Sequence, residues 1–281
     1  MRKWSGMVWE DKRKGTALAG IIGSKSSYMK LYHYTKISKF PLIWAGKKLK
    51  FSEWTNTNDI FEREKVFRLT QESALYNGKR CDTETFRLFR ANVFKEIQLY
   101  KQISFCNDYK DYGGFASPLM WGQYARQQRW KQIQSGVCIE IDRTKLKIEQ
   151  TIHKDDIYYT DQIESTHLKW IDAAPSEAAQ LFVLENLHNL FFTKHLHWEH
   201  ENEYRLISKE DEFLDISEAI TAIYVLWEDH STLNKVKRMV KDKSLIKFLE
   251  VGGLGQLYMK SNRLDWYEED VKLLNRLNKK N

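Results

Sequence analysis

The chain has few of the residues that cross-link or interrupt small β proteins. It has only three Pro and 13 Gly in 281 residues, too few turn formers for a many-stranded sandwich. Its three Cys lie far apart without a C-x-x-C pair, which disfavours a disulfide framework and fits a reducing compartment. The longest early apolar run, 17–22, is too short for a signal core or a membrane span. We therefore expect a cytoplasmic protein without a membrane.

The residues that are present describe a folded, basic protein. Hydrophobic residues make up 42% and charged residues 30% of the chain, which argues against disorder. The net charge is +7, a balance that can attract nucleic acid, anionic nucleotides or acidic proteins. Because acidic residues are interleaved with the basic ones, a solvated surface explains most of this charge.

Helical and strand-like apolar patterns alternate without a repeat or a long linker, which predicts one α+β domain over 29–281 after an N-terminal extension, 1–28. Residues 136–142 alternate as a half-buried strand does. Helices are expected at 37–45, 83–102, from Ser117, at 176–195 and at 231–241. Strands are expected at 29–35, 49–51, 103–106, 136–142, 203–207, 220–226 and 246–251.

Two segments more than 150 residues apart carry the best candidate site. His33 stands in the apolar-aromatic strand LYHYT, and Glu201, Glu203 and Arg205 alternate in WEHENEYRLI. In a strand, alternate residues share a face, so two carboxylates and a guanidinium would project together. Close carboxylates can take different pKa values, one serving as an acid or base and the other as an anchor.

Each of these candidates also has an ordinary structural explanation. His33 could simply bond a backbone carbonyl, and Glu203 with Arg205 could be an exposed ion pair of little energetic value. Trp121 and Tyr124, three apart on an expected helix, would share a face that is either core or a stacking platform for a planar ring.

The histidines before the charged strand suggest a metal site at first sight. His195, His197 and His200 form H-x-H-x-x-H beside glutamates, and imidazoles and carboxylates are metal ligands. The spacing matches no zinc motif, however, so we expect no metal. The sequence also lacks a phosphate-binding Gly-rich loop, a dinucleotide fingerprint and a nucleophile elbow.

Six short segments, taken in order, resemble the bacterial domain-of-unknown-function 2971 family. They cover most of the chain from 31 to 251, although Ile60 and Gln123 stand where that family usually has proline and histidine. The segments are LYHYT at 31–35, KLKFSEWTNTNDIFE at 48–62, SFCND at 104–108, LMWGQYA at 119–125, SGVCIEID at 135–142 and WEHENEYRLI at 198–207.

A more distant resemblance is to ADP-ribosyltransferase folds, which combine a strand histidine, an aromatic on a second element and a late glutamate. It implies a mixed, split β-sheet flanked by helices, and a transferase that uses NAD as a substrate. Bacterial proteins with such folds often act as toxins or in phage defence, so the implied acceptor is a nucleic acid or a protein.

The resemblance also implies roles for individual residues. Glu203 would contact the ribose and Glu201 the acceptor, as the catalytic pair. Arg205 would either fix Glu203 or contact a phosphate. The residues implied to bind NAD are His33, Tyr34, Thr35, Trp121, Tyr124 and Arg205. Two alternatives stay open, namely a non-catalytic nucleic-acid-binding effector and a metal-dependent hydrolase.

Overall fold

The computed structural model describes residues 30–54, 57, 59, 75–76, 79–80, 82–110, 112–129, 132–161, 174–251 and 257–259. The N-terminal extension expected at 1–28 lies outside the described residues, as does the first residue of the expected domain. Within the described part, the chain is a mixed α+β fold with helices against a mixed sheet.

Most strands and helices lie near the positions that the sequence patterns predict. The strands are β1 (Lys30–Thr35), β2 (Lys48–Lys50), β3 (Ser52–Glu53), β4 (Leu75–Tyr76), β5 (Lys79–Arg80), β6 (Lys101–Cys106), β7 (Gln127–Arg129), β8 (Gln132–Gln134), β9 (Val137–Asp142), β10 (His153–Asp156), β11 (Tyr158–Thr160), β12 (Thr193–His195), β13 (Glu203–Ser208), β14 (Phe213–Asp215), β15 (Ile220–Leu226), β16 (Ile246–Val251) and β17 (Leu257–Met259). The α-helices are α1 (Phe40–Gly46), α2 (Thr83–Gln98), α3 (Pro118–Met120), α4 (Pro175–Glu185), α5 (Leu187–Phe191) and α6 (His230–Met239).

Nine of the described strands form one sheet in the order β10-β13-β6-β1-β9-β15-β16-β17, with β3 paired to β6. The pairs are antiparallel except for β15 with β16, which makes the sheet mixed. The central position expected for 220–226 is confirmed, because β15 lies between β9 and β16.

Both faces of the sheet are covered. On one face, Ile139 and Leu206 pack with Leu233 and Val236 of α6. On the other face, α2 and α4 pack against each other beside β13, and a separate aromatic cluster lies over β1 and β9. The half-buried pattern expected for 136–142 is therefore wrong, since β9 is buried on both faces from 137 to 141.

Two expected helices end earlier than the apolar spacing suggests. The helix expected at 83–102 stops at Gln98, and β6 begins at Lys101. The one expected at 176–195 stops at Glu185, because Asn186 leaves the helical conformation with φ −106° and ψ 17°. A short helix, α5, and the strand β12 follow, so His195 is in a strand.

The strands β1 and β6 are joined at only one residue pair. Tyr32 pairs with Cys106, whereas Gln102 at the other end of β6 pairs with Ser52 of β3. The same edge of β6 is thus shared by two strands, and the stretch between them is bordered by neither. We call the opening between β1, β3 and this stretch of β6 the wedge. It is the feature of the fold that positions the site.

None of the helices in the described ranges has both the length and the apolar character that a membrane crossing requires.

The burial of β9 leads to a stability prediction. Ile139 is fully buried in the centre of the sheet, so Ile139→Ala should lower the free energy of unfolding by about 2–5 kcal/mol through lost burial and a residual cavity. Urea unfolding measures the difference. Leu42→Ala is the control, because Leu42 is 73% exposed and its loss should change little. Equal effects of the two substitutions would contradict the assigned core.

Candidate functional site

A cavity of about 280 Å³ occupies the wedge, close to the lower end of the roughly 300–1,000 Å³ that small-molecule sites span. It is lined from the sheet, from the helical segment after Ser117 and from the stretch before β13. The lining residues are Tyr32, His33, Tyr34, Lys36, Lys50, Ser52, Thr57, Asp59, Gln102, Ile103, Ser104, Phe105, Cys106, Met120, Gln123, Tyr124, Lys194, Glu201 and Glu203.

The lining shows that the cavity opens on a strand edge. Five consecutive residues of β6, from 102 to 106, all line it. Because successive strand side chains point to opposite faces, a cavity on one face would be lined by alternate residues only. A ligand in the wedge could therefore reach backbone groups of β6 as well as side chains.

His33 bonds across the wedge. Its Nδ1 lies 3.2 Å from the carbonyl oxygen of Ser104 in β6. A carbonyl only accepts, so Nδ1 carries the proton and a neutral ring keeps Nε2 as an acceptor. Burial lowers the pKa of His33, against the opposing effect of the Ser104 bond. His33 is thus a neutral imidazole that can accept a hydrogen bond from a ligand.

Glu203 and Arg205 form a buried, two-point ion pair. Arg205 Nε donates to Glu203 Oε1 at 2.7 Å, and its second terminal nitrogen donates to Oε2 at 2.9 Å. A further guanidinium nitrogen donates to the carbonyl of Phe191 at 2.7 Å. Glu203 is 3% exposed and Arg205 fully buried. Such a paired geometry fixes the plane of the carboxylate as well as its position.

Lys194 joins the two carboxylates of the site. Its Nζ lies 2.6 Å from Glu201 Oε2 and 2.7 Å from Glu203 Oε2, and the lysine is itself buried. Burial alone would raise the pKa of Glu203, but the charges of Arg205 and Lys194 outweigh it and hold that pKa well below its usual range. Glu203 is therefore an ionised carboxylate at neutral pH rather than an acid.

Tyr124 closes the same network from the helical side. The segment after the Ser117 cap begins as α3 and continues as a π-helical turn, Trp121–Ala125. The Tyr124 hydroxyl donates to Glu201 Oε1. Burial, followed by the charge of Glu201, raises the pKa of Tyr124, so this hydroxyl keeps its proton. Single π-turns inside helices frequently mark functional sites.

The prediction that the two glutamates share a strand face is wrong, although their carboxylates do lie close together. Glu201 ends a 3-10 helix, Leu196–Glu201, and Asn202 has a left-handed backbone with φ 41°. Only Glu203 and Arg205 alternate on β13. Lys194, rather than strand periodicity, brings the carboxylate of Glu201 beside that of Glu203.

Of the other candidates, one lines the cavity and three do not. Tyr34 lines the cavity, whereas Thr35, Trp121 and Arg205 do not. Trp121 is buried, with its Nε1 donating to the Phe115 carbonyl and its ring at right angles to Tyr34. Trp121 and Tyr124, which were expected to share a face, belong to the same apolar cluster, but only Tyr124 lines the cavity.

The position and contacts of the Arg205 side chain distinguish between its two predicted roles. It fixes Glu203 from behind and stacks its guanidinium over Trp54 at 5.3 Å. Since Arg205 is fully buried and does not line the cavity, a direct contact with a ligand phosphate is not among its roles in this arrangement.

The histidine cluster is not gathered around a common centre. His197 N–H donates to His195 Nδ1, and His200 Nδ1 lies 3.1 Å from the carbonyl of His197. Within the described ranges, no group of three or more His, Cys, Asp or Glu side chains is placed to hold a metal ion.

Several lining residues were not predicted from the sequence, and three of them show why. Lys194 is one of 45 Lys and Arg and carries no pattern of its own. Ser104 contributes through its backbone carbonyl, which sequence patterns do not report. Gln102 was expected at the end of a helix and instead lies in β6, 8% exposed.

The arrangement suits electrostatic stabilisation more than nucleophilic attack by the protein. Cys106 lines the cavity, but burial raises its thiol pKa to about 12, so the reactive thiolate is not formed at neutral pH. A fixed, ionised Glu203 can accept a ligand hydroxyl and stabilise positive charge that develops nearby.

Residues 120–206 match the family described as "Protein of unknown function (DUF2971)". The match supports the resemblance to that family over this part of the chain. The match includes Tyr124, Lys194 and Glu203, whereas His33 lies outside it. A search of curated proteins and a search of solved structures found no match.

The depressed pKa of Glu203 predicts how stability depends on pH. Glu203→Gln leaves two buried cations short of a partner, which should cost about 3–5 kcal/mol at pH 7. The contribution of the ionised carboxylate is fully present above its unfolded pKa of 4.5. As pH falls below that value, the unfolded chain takes up the proton first, so this contribution is lost.

The gap in unfolding free energy between the wild type and Glu203→Gln should therefore narrow from pH 5 to pH 3. Urea titrations at several pH values measure it. The exposed Glu199, four residues earlier, provides the matched control Glu199→Gln, which should follow the wild type throughout. A gap that stays constant with pH would contradict the assigned ion pair.

Proposed function

We propose that the protein is an NAD-dependent ADP-ribosyltransferase whose reaction takes place in the wedge cavity. The single observation that carries the proposal is the meeting of His33, Tyr124 and Glu203. They come from positions 33, 124 and 203 of the chain, yet all three line one cavity of about 280 Å³. A strand histidine, an aromatic and a late glutamate around one cleft is the arrangement that such enzymes use.

The fold gives further support. The mixed sheet is opened between β1 and β6, which pair at only one position. A mixed, split β-sheet flanked by helices is what the resemblance to ADP-ribosyltransferase folds implies. The chemistry that NAD requires also fits the residues present, namely a fixed carboxylate, a neutral imidazole, an aromatic ring and cations on the lining.

The reaction breaks the bond between the ribose and the nicotinamide nitrogen. The bonding electron pair leaves with nicotinamide, and a nucleophile on the acceptor bonds to the ribose carbon and gives up its proton. Glu203 would accept a hydrogen bond from a ribose hydroxyl and stabilise the positive charge that develops on the sugar. Arg205 and Lys194 keep this carboxylate ionised and in place before the substrate arrives.

The other residues have roles that follow from their contacts. His33, with its Nδ1 proton committed to Ser104, offers Nε2 to a ribose hydroxyl. The Tyr124 ring lines the cavity and can stack on nicotinamide. Glu201 lies beside Glu203 through Lys194, where it would orient the acceptor or take its proton.

The test is nicotinamide release from NAD by the purified protein, with water or a bacterial lysate supplying the acceptor. Glu203→Gln should reduce release by about a hundredfold or more, because a fixed charge that faces the transition state is lost. Thermal unfolding of each protein in the same buffer checks that the fold persists.

Two further variants keep the test decisive. His33→Gln retains a donor for the Ser104 carbonyl but removes the imidazole, and it should also lower release. Glu199→Gln alters an exposed glutamate that does not line the cavity and should leave release unchanged. Full release by Glu203→Gln, or no release by the wild type with either acceptor source, would overturn the proposal.

A further inference from the structure

One buried acceptor in the wedge lacks a partner. Gln102 is 8% exposed and lines the cavity, and its Oε1 is buried without a hydrogen bond to any described residue. A buried carbonyl without a donor is costly, and folded proteins rarely leave one so. Because this oxygen belongs to a cavity-lining side chain, a hydrogen-bond donor on a ligand could supply the missing bond.

Gln102 lies at the other end of the cavity from the carboxylates. Cys106, four residues along β6, pairs with Glu203 on the neighbouring strand. At about 3.3 Å per residue, Gln102 is therefore about 13 Å along the strand from the level of Glu203. That separation exceeds a nucleoside and is within the reach of a dinucleotide.

The chemistry around Gln102 selects the kind of group that would bind. Asp59, which is 3% exposed, also lines the cavity and adds carboxylate acceptors. An exocyclic amine has two N–H bonds and can serve two acceptors, whereas a hydroxyl has one. Lys36 and Lys50 line the same cavity, and among the described residues Lys50 has one loose ion pair, 3.8 Å from Glu212. These cations fit a phosphate.

We propose that the Gln102 end of the cavity recognises the base of an adenine nucleotide, with the Gln102 carbonyl accepting a hydrogen bond from the exocyclic amine. The inference rests on the proposed function, because NAD carries adenine at the end away from nicotinamide. Lys36 and Lys50, which line the same cavity, would contact the phosphates. Hypoxanthine has a carbonyl oxygen where adenine has the amine. That oxygen would face the Gln102 carbonyl oxygen, and two acceptors repel each other.

The test compares the binding of AMP and IMP by titration calorimetry, which needs no turnover. The wild type should bind AMP about tenfold more tightly than IMP, the value of roughly one hydrogen bond. Gln102→Met has nearly the same size without an acceptor and should bring the two affinities within about twofold. Gln102→Glu retains an acceptor oxygen and should keep the preference for AMP.

A control variant and a control ligand separate recognition from structure. Gln98→Met changes an exposed glutamine that does not line the cavity and should keep the wild-type preference. Nicotinamide mononucleotide should bind wild type and Gln102→Met equally. The inference would be overturned if the wild type failed to bind AMP, or if it did not bind AMP more tightly than IMP. It would also be overturned if Gln102→Met kept the wild-type preference for AMP.

The results also distinguish this inference from the proposed function. If the protein prefers AMP through Gln102 but releases no nicotinamide, the adenine subsite is supported and the proposed transferase activity is refuted. Nicotinamide release that depends on Glu203, without a preference for AMP, would overturn the subsite alone.

Discussion

The site depends on one buried ion pair, Glu203 with Arg205. Neither charge could be buried alone, since each loses several kcal/mol of hydration on leaving water. Arg205 donates to the carboxylate from two nitrogens and to the Phe191 carbonyl from the third, so each of its three nitrogens is held by a fixed partner. Lys194 then supplies the second cation that two neighbouring carboxylates require. The rest of the site is arranged around this fixed charge.

The same region of the sheet supplies both the ion pair and the space in front of it. β6 is fully paired with β13, which carries Glu203 and Arg205, but its other edge is shared between β1 and β3. His33 crosses the resulting wedge with a side-chain bond to the Ser104 carbonyl. A backbone group that would otherwise lack a partner is thereby satisfied, and the strands can remain apart.

The sequence predicts the elements whose signals are local. The strand at 246–251 and the Ser117 cap are found as expected, because apolar runs and capping residues act over a few positions. The helix expected to 195 fails, since the apolar spacing continues through Leu187–Phe191 while the backbone turns at Asn186. Periodicity reports which residues are apolar, and it does not report where the chain changes direction.

For the site, sequence reasoning finds side chains with recognisable chemistry and misses those defined by their neighbours. His33, Tyr124 and Glu203 are found because of their residue types and spacing. Lys194 is a lysine among many until burial between two carboxylates makes it distinctive. Gln102 acquires its open acceptor only through the strands that cover it.

A crystal structure of the protein with a non-hydrolysable carba-analogue of NAD would test the role of Glu203 directly. We expect the analogue in the wedge, with a ring hydroxyl within about 3 Å of the Glu203 carboxylate and nicotinamide beside Tyr124. An analogue bound away from Glu203, or a wedge closed to the ligand at saturating concentration, would contradict it.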